Sequence, residues 1–224
     1  MKFFGLYLIL SLLTRNPLLA LIILLLAFFL AERRFVGIFP DVFRPWRQAG
    51  RVRQLKREIR LNPANAEAYL ELGEAYFRQG KYEQASSFLE NAANKMAGHP
   101  LFHFYLGASY YHLGKLIEGK KEIDKAIKAN PKVSSGEPYL YLIRISLKEK
   151  RPTGEIEQAY NNLLLYGSPA TFYQAGTVFL SIHEKDRAKR LFRETIESYE
   201  ACRGPLRRIY RRWALLSKIA LMRT

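Results

Sequence analysis

Two histidines lie four residues apart, a spacing that would place both imidazoles on one side of a helix. In that arrangement, His99 and His103 could bind a divalent metal ion such as zinc. However, Pro100 follows His99 directly, at the start of a predicted helix, and the sequence offers no evident third ligand. We therefore interpret the two histidines as turn and groove residues, and predict neither a metal site nor a cofactor.

The motifs that accompany common enzymatic chemistry are missing from the sequence. It has no Walker A loop, no G-x-S-x-G motif, no Cys-x-x-Cys pair and no H-E-x-x-H motif. Carboxylates such as Glu118, Glu122 and Asp124 are interspersed with lysines, a pattern typical of a solvated helix face. Cys202 is the only cysteine and cannot form an intramolecular disulfide. The sequence therefore predicts a non-enzymatic protein with no catalytic residues.

The formal net charge of +16 is unevenly distributed. Residues 1–61 contain eleven basic and three acidic residues, and residues 203–224 contain seven basic residues and no acidic one. Residues 62–202 are nearly neutral, with eighteen basic and seventeen acidic residues. The positive charge therefore lies on the two flanks, and bulk charge does not explain what the central segment binds.

An internal repeat occupies the central segment. The stretch AEAYLELGEAYFRQGKYEQASSFLENAANK begins at Ala66, and PLFHFYLGASYYHLGKLIEGKKEIDKAIKANP begins 34 residues later at Pro100. A further copy, ATFYQAGTVFLSIHEKDRAKRLFRETI, starts near residue 169, and a divergent unit with about three extra residues starts near 137. Four units thus fill residues 66–202.

Glycine recurs inside the first predicted helix of three units, at Gly73, Gly107 and Gly176. A glycine in a helix interior costs about 1 kcal/mol relative to alanine, so its recurrence predicts close approach of a neighbouring helix. Small residues such as Gly119 recur on the second helix of each pair, where they would let the first helix nest. A single unit could not bury these faces, but stacked units can.

The pattern resembles the tetratricopeptide repeat (TPR) family, in which 34-residue helix-turn-helix units carry an aromatic residue, Leu-Gly, a second aromatic, a small residue and Ala. The resemblance covers about three fifths of the chain. The third unit departs from it, with Ile143 and Arg144 in place of Leu-Gly and Ile156 at the small-residue position, and we expect altered packing there. The resemblance implies an all-α solenoid of about four units.

In this family the first helices line a concave groove, which implies that the side chains next to the signature residues contact a partner. The candidate groove residues are Leu70, Glu74, Phe77, Arg78, Phe104, Ala108, Tyr111, His112, Tyr173, Thr177 and Leu180. The Lys and Asn residues with which chaperone-binding members hold a carboxylate are missing from these positions. The groove suits an amphipathic helix or an extended peptide. Alternatively, Phe104, Tyr111 and Tyr173 pack between neighbouring helices.

Residues 203–224 predict a basic amphipathic helix that begins after Gly204-Pro205. It is interpreted as a cap on the last repeat, and alternatively as a contact for anionic lipid or nucleic acid.

The amino-terminal segment predicts a membrane anchor over residues 1–36. It has a short apolar helix over 3–13, a Thr14-Arg15-Asn16-Pro17 junction, and a main span over 17–36 whose helix Asn16 would cap. The open alternatives are an interfacial helix followed by one span, a hairpin, and one kinked helix. Arg15 splits the apolar region, which disfavours a cleaved signal peptide.

The basic segment 37–65 that follows the span predicts that the repeats face the cytoplasm at the cell (inner) membrane. The candidate contacts for anionic lipid are Arg33, Arg34, Arg44, Arg47, Arg51, Arg53, Arg207, Arg208, Arg211 and Arg212. The resulting hypothesis is a non-enzymatic, membrane-anchored scaffold that binds a protein partner in its groove, without a small-molecule substrate. The alternatives are an RNA- or ribosome-associated membrane protein, and a permanent subunit of a larger membrane complex.

Overall fold

Within residues 7, 10–31 and 44–224, which the computed structural model describes, regular structure consists of α-helices and one 3-10 turn. Side chains are described for residues 7, 10–27 and 49–224. The helices are α1 (Pro17–Ala31), α2 (Arg44–Leu61), α3 (Ala66–Arg78), α4 (Tyr82–Met96), α5 (Pro100–His112), α6 (Leu116–Ala129), α7 (Glu137–Lys148), α8 (Thr153–Tyr166), α9 (Pro169–Ser181), α10 (Lys185–Ala201) and α11 (Pro205–Arg223). The predicted all-α solenoid is confirmed.

Helices α3 to α10 pack as four successive pairs, one pair for each repeat unit. Each first helix presents apolar residues to its own second helix and to the next unit, so the core continues along the stack. The largest fully buried side chains include Phe104, Phe179 and Phe192.

The recurring glycines lie where paired helices come closest. A Cβ atom on Gly107 would lie 2.8 Å from the carbonyl oxygen of Gly119 on α6. A Cβ atom on Gly73 or Gly176 would instead meet the side chain of Leu89 or Phe192. The mid-helix glycines therefore allow the two helices of a pair to pack closely, at the expense of helix propensity.

The third unit is offset by a left-handed turn. Residues Val133–Gly136 form the 3-10 turn, in which Ser134, Ser135 and Gly136 have φ angles of 49°, 51° and 78°. The hydroxyl of Thr171 donates to the carbonyl oxygen of Ser135 at 3.2 Å and ties this turn to α9. A cavity of about 380 Å³ lies between α6, α7 and α8. The altered packing expected at this divergent unit is therefore seen as an inserted turn.

Helix α2 was not predicted, because residues 37–65 were interpreted as a basic segment beside the membrane. It packs on the first repeat through Leu55, which is 1% exposed, and through Val52 and Ile59. These residues contact the core around Leu72 and Tyr76. The ordered array thus begins with α2 rather than at residue 66.

Helix α11 packs along α10 and against α9, in the position of a cap on the fourth unit. Ala214 and Ser217 are buried in this contact, and the rings of Trp213 and Tyr173 are 5.4 Å apart. The prediction that this helix caps the last repeat therefore fits the face of α11 that packs on α9 and α10.

The start of α1 follows the sequence closely. The side chain of Asn16 accepts hydrogen bonds from the amides of Leu18 and Leu19 at 3.0 and 3.3 Å, so Asn16 caps the helix. Arg15 has a φ of 49°, which breaks the chain direction before the cap. Residues 10–14 are helical, whereas the rest of the predicted 3–13 helix, apart from residue 7, lies outside the described residues.

No helix in the described ranges has both the length and the hydropathy needed to cross a bilayer. Helix α1 contains 15 residues. The continuation expected up to residue 36 lies outside the described residues, as do Arg33 and Arg34. The predicted span has no support from the described helices.

Candidate partner-binding groove

Four of the predicted groove residues are buried in the repeat core. Phe104 and Ala108 are fully buried, and Leu70 and Tyr111 are each 9% exposed. Phe104 and Leu70 lie in the same core cluster as Leu89 and Ile123. Phe104 and Tyr111 therefore pack between neighbouring helices, which is the alternative to partner contact given above.

Aromatic rings from three successive repeats form the floor of the groove. The Phe77 ring on α3 lies 5.4 Å from Tyr105 and 6.4 Å from Phe104, both on α5. Tyr141 on α7 lies 5.9 Å from Phe104 and 5.3 Å from Tyr111. Phe77 is partly buried, whereas Tyr105 and Tyr141 are buried, so of these three rings Phe77 is the most open to a ligand.

His112 lies at the end of this floor, with its edge open to solvent. One face of its ring stacks on Tyr82 at 3.9 Å, and its Nε2 atom is 3.1 Å from the Tyr141 hydroxyl. Partial burial of the ring lowers the pKa of His112 to about 4, and the positive charges of Arg144 and Lys148 act in the same direction. His112 is therefore neutral at physiological pH and able to exchange hydrogen bonds as donor or acceptor.

Two cations of the third unit lie over aromatic rings, and neither forms a direct ion pair with a carboxylate among the described residues, although the charge of Arg144 acts on Glu137 from a distance. The Lys148 ammonium is 4.3 Å from the centre of the Tyr111 ring, and the Arg144 guanidinium is 5.4 Å from that of Tyr141. By contrast, Arg78 forms an ion pair with Glu74 at 2.6 Å and donates to the Tyr105 hydroxyl at 3.3 Å. The groove cations that lack a direct ion pair in the described part of the chain thus lie on α7.

Glu137 supplies a carboxylate at the start of α7. Burial raises the pKa of Glu137 above its ordinary value. The hydrogen bond from Ser134 and the charges of Arg78 and Arg144 act in the opposite direction but only reduce this rise. The Ser134 hydroxyl donates to the carboxylate at 2.9 Å. Glu137 is therefore held by the turn before α7.

The sequence reasoning missed Tyr141, Arg144 and Lys148, because no groove positions were assigned to the divergent unit. The sequence nevertheless contains a signal for these three residues. Setting Ile143-Arg144 opposite Leu106-Gly107 places Tyr141 opposite Phe104 and Lys148 opposite Tyr111. The third unit therefore contributes the strongest cationic element of the groove despite its departure from the repeat pattern.

The predicted groove residues of the fourth unit lie apart from those of the first two. Tyr173, Thr177 and Leu180 line a cavity of about 290 Å³ whose other wall is α11, including Leu216 and Ile219. The cap thus lies beside the surface predicted to contact a partner in this unit, although Thr177 remains exposed.

His103 lies between two hydrogen-bond acceptors. Its Nδ1 atom is 2.6 Å from the Glu122 carboxylate, and its Nε2 atom is 2.6 Å from the carbonyl oxygen of Ala97. Both ring nitrogens are therefore engaged in joining α5 to α6 and to the preceding turn, which is a structural role. Burial favours a raised pKa for Glu122, but hydrogen bonds from Lys125 and His103 lower it below the ordinary value of 4.5.

This carboxylate predicts a loss of stability in acid. A group whose pKa is lowered by folding stabilises the folded state above its unfolded pKa, and that contribution disappears as the pH falls through the folded pKa. We expect Glu122→Gln to lower the free energy of unfolding by about 1–3 kcal/mol at neutral pH. The difference from the unsubstituted protein should shrink as the pH falls from 4.5.

Urea unfolding followed by circular dichroism between neutral and acidic pH measures this difference. Glu118→Gln, at an exposed carboxylate of the same helix, is the control and should change stability little. A difference that stays constant across the pH range would contradict the assigned role of Glu122.

The candidate lipid-contacting arginines differ in their surroundings. Arg51 forms an ion pair with Glu71 of α3, Arg207 lies over the Tyr199 ring, and Arg212 lies over the Trp213 ring. Arg208 and Arg211 also have interaction partners. The side chains of Arg44 and Arg47 lie outside the described ones. Arg53 is exposed and reaches only the carbonyl oxygen of Ala49, at 3.5 Å.

Comparison with known families identifies the repeat. The model of the tetratricopeptide repeat family matches residues 52–103, which run from α2 into α5. Residues 52–103 thus match the tetratricopeptide repeat. The match begins inside α2, in agreement with the packing of that helix on the first repeat.

Two solved structures share the fold. TTC0263, a TPR protein of Thermus thermophilus, superposes with a TM-score of 0.59 at 16% identity, over 81% of this chain and 96% of that one. The structure of MamA gives a TM-score of 0.55 at 19% identity, over 73% of this chain and 98% of that one. At these identities the likeness concerns the fold alone.

Curated relatives share the repeats over part of their length. A BBSome complex member BBS4 homolog of Drosophila melanogaster is 25% identical over 162 residues, covering 67% of this chain and 33% of that protein. Hsp70-Hsp90 organizing protein 1 of Glycine max is 26% identical over 111 residues, covering 49% of this chain and 19% of that protein. The chain thus matches a third or less of the length of these relatives.

Proposed function

We propose that this TPR protein is a non-enzymatic adaptor that binds an acidic segment of a protein partner in the groove formed by α3, α5 and α7. The observation that carries the proposal is the placement of Arg144 and Lys148 over aromatic rings, with no direct ion pair to a carboxylate in the described part of the chain. A carboxylate placed there would form charge-assisted hydrogen bonds while its apolar neighbours packed on the ring edges.

Attachment to a membrane through residues 1–36 is a second part of the proposal. It is supported by the apolar composition of α1 and by the exposure of its side chains, among them Leu18 at 70%, Ile22 at 56% and Leu26 at 56%. The basic residues after α1 favour placing the array on the cytoplasmic side of the cell (inner) membrane. There the anchor would raise the effective concentration of the groove near membrane-associated partners.

Reversing the two groove charges tests partner binding. We expect Arg144→Glu/Lys148→Glu to reduce recovery of the partner by about tenfold or more, because each charge-assisted hydrogen bond contributes about 1.5–3 kcal/mol. The measurement is quantitative mass spectrometry of proteins that co-purify with the full chain from detergent-solubilised membranes.

Lys121→Glu/Lys128→Glu provides the matched control, since it makes the same charge change at exposed positions of α6. A photoreactive residue at position 112 should also cross-link the protein that the groove variant loses, whereas one at position 121 should not. Equal recovery with the groove and control variants would contradict the proposal.

A further inference from the structure

Four basic side chains form a stripe along the outer face of α2. Arg53, Lys56, Arg57 and Arg60 are all exposed and follow the spacing of one helix face. Together with Gly50 they line a shallow concavity of about 410 Å³. We refer to these four residues as the basic stripe.

The basic stripe faces away from the repeat core. Leu55 is buried against α3, and Val52 and Ile59 pack beside it. Given 3.6 residues per turn, Arg53, Arg57 and Arg60 lie about 105–165° around α2 from the centre of these three positions. Lys56 lies at the edge of the stripe, beside Tyr76. The stripe is therefore left open to solvent by the fold that holds α2 in place.

The charge of the stripe is not neutralised within the described residues. Glu58 is the only acidic residue of α2, and its carboxylate accepts a hydrogen bond from Gln54 at 2.8 Å and lies 3.8 Å from Arg51. Arg51 also pairs with Glu71, so the ion pairs of α2 lie beside the stripe and not on it. The Lys56 ammonium lies 5.6 Å from the centre of the Tyr76 ring, and this neutral ring does not cancel its charge.

We propose that the basic stripe binds the surface of an anionic phospholipid membrane. Helix α1 exposes leucine and isoleucine side chains, and only residues 32–43 separate it from α2. Twelve residues reach at most about 42 Å when fully extended, so an inserted α1 keeps the stripe close to the leaflet. Each basic residue near an anionic leaflet strengthens association about fivefold, and four of them orient α2 against it. This proposal rests on the membrane attachment proposed above.

A fluorophore beside the stripe tests the contact. Gly50 has open space around a Cβ atom, so Gly50→Cys in a Cys202→Ser background gives one labelling position on the full chain. The labelled protein is reconstituted with vesicles that carry a headgroup quencher, made of phosphatidylcholine alone or with phosphatidylglycerol. We expect quenching to increase with the phosphatidylglycerol content and to decrease with added salt.

Neutralising two stripe residues should remove this effect. In molecules bound to the vesicle, the array is docked when the stripe contacts the lipid surface and undocked when it does not. We expect Arg57→Gln/Arg60→Gln to lower the ratio of docked to undocked molecules about twenty-five-fold. The control Lys120→Gln/Arg187→Gln removes the same charge from two basic side chains that are paired with carboxylates, and should leave the ratio unchanged. Quenching that is insensitive to phosphatidylglycerol, or equal in the two variants, would overturn the proposal.

Two further outcomes separate this inference from related ones. If the chain binds only vesicles that contain phosphatidylglycerol, the proposed insertion of α1 is wrong and the stripe is upheld. If the fluorophore responds to added RNA but not to phosphatidylglycerol, the stripe is a nucleic-acid surface and the lipid proposal is wrong.

Discussion

Phe104→Ala is expected to lower the free energy of unfolding by about 3–5 kcal/mol. The Phe104 side chain is fully buried. Its ring on α5 lies 6.4 Å from Phe77 in the first repeat and 5.9 Å from Tyr141 in the third. Because each repeat of a solenoid is stabilised by its neighbours, a cavity at this position weakens both interfaces of the second repeat.

Urea unfolding monitored by circular dichroism measures the loss, and hydrogen exchange of α3, α5 and α7 locates it. Leu165→Ala is the control, since Leu165 is 69% exposed and its removal leaves no cavity. The expected change there is within about 0.5 kcal/mol. If Phe104→Ala were as mild as the control, Phe104 would not couple the repeats.

Phe104 also illustrates why the groove could be predicted only in part. The repeat pattern correctly places the first helices on the inner side of the array. It does not determine how far each neighbouring repeat covers a side chain, because that depends on the angle between units. Residues adjacent to the signature positions can therefore be core, as Phe104 and Leu70 are, or exposed, as Arg78 is.

The fold was more accessible to sequence reasoning than the site, because helix packing repeats every unit. Helix α2 was missed for a physical reason. Among its described side chains, 49–61, the apolar contacts to the array come from Val52, Leu55 and Ile59, which are outnumbered by basic residues. The inserted turn at Ser134 and Ser135 has no repeat counterpart, so its left-handed conformation could not be inferred from the other units.

Gly107→Ala is expected to lower the free energy of unfolding by about 2–3 kcal/mol, although alanine is the better helix former. A Cβ atom here would lie 2.8 Å from the carbonyl oxygen of Gly119 and 2.9 Å from the amide nitrogen of Ile123. Both atoms belong to the α6 backbone, so α5 and α6 must move apart to accommodate a methyl group. The measurement is again the urea unfolding midpoint of the full chain.

The order of costs among glycines provides the sharper test. Gly50 lies in α2, where an added Cβ atom would have nothing within 4 Å, so Gly50→Ala should stabilise the protein by up to about 1 kcal/mol. Gly73→Ala and Gly176→Ala would bring a Cβ atom within 2.5 and 2.6 Å of the side chains of Leu89 and Phe192, which are fully buried, and should also destabilise the protein. Helix propensity alone predicts that all four changes stabilise, whereas close packing predicts opposite signs for Gly50 and Gly107. A stabilising Gly107→Ala would therefore show that the α5–α6 contact is not the reason for glycine at this position.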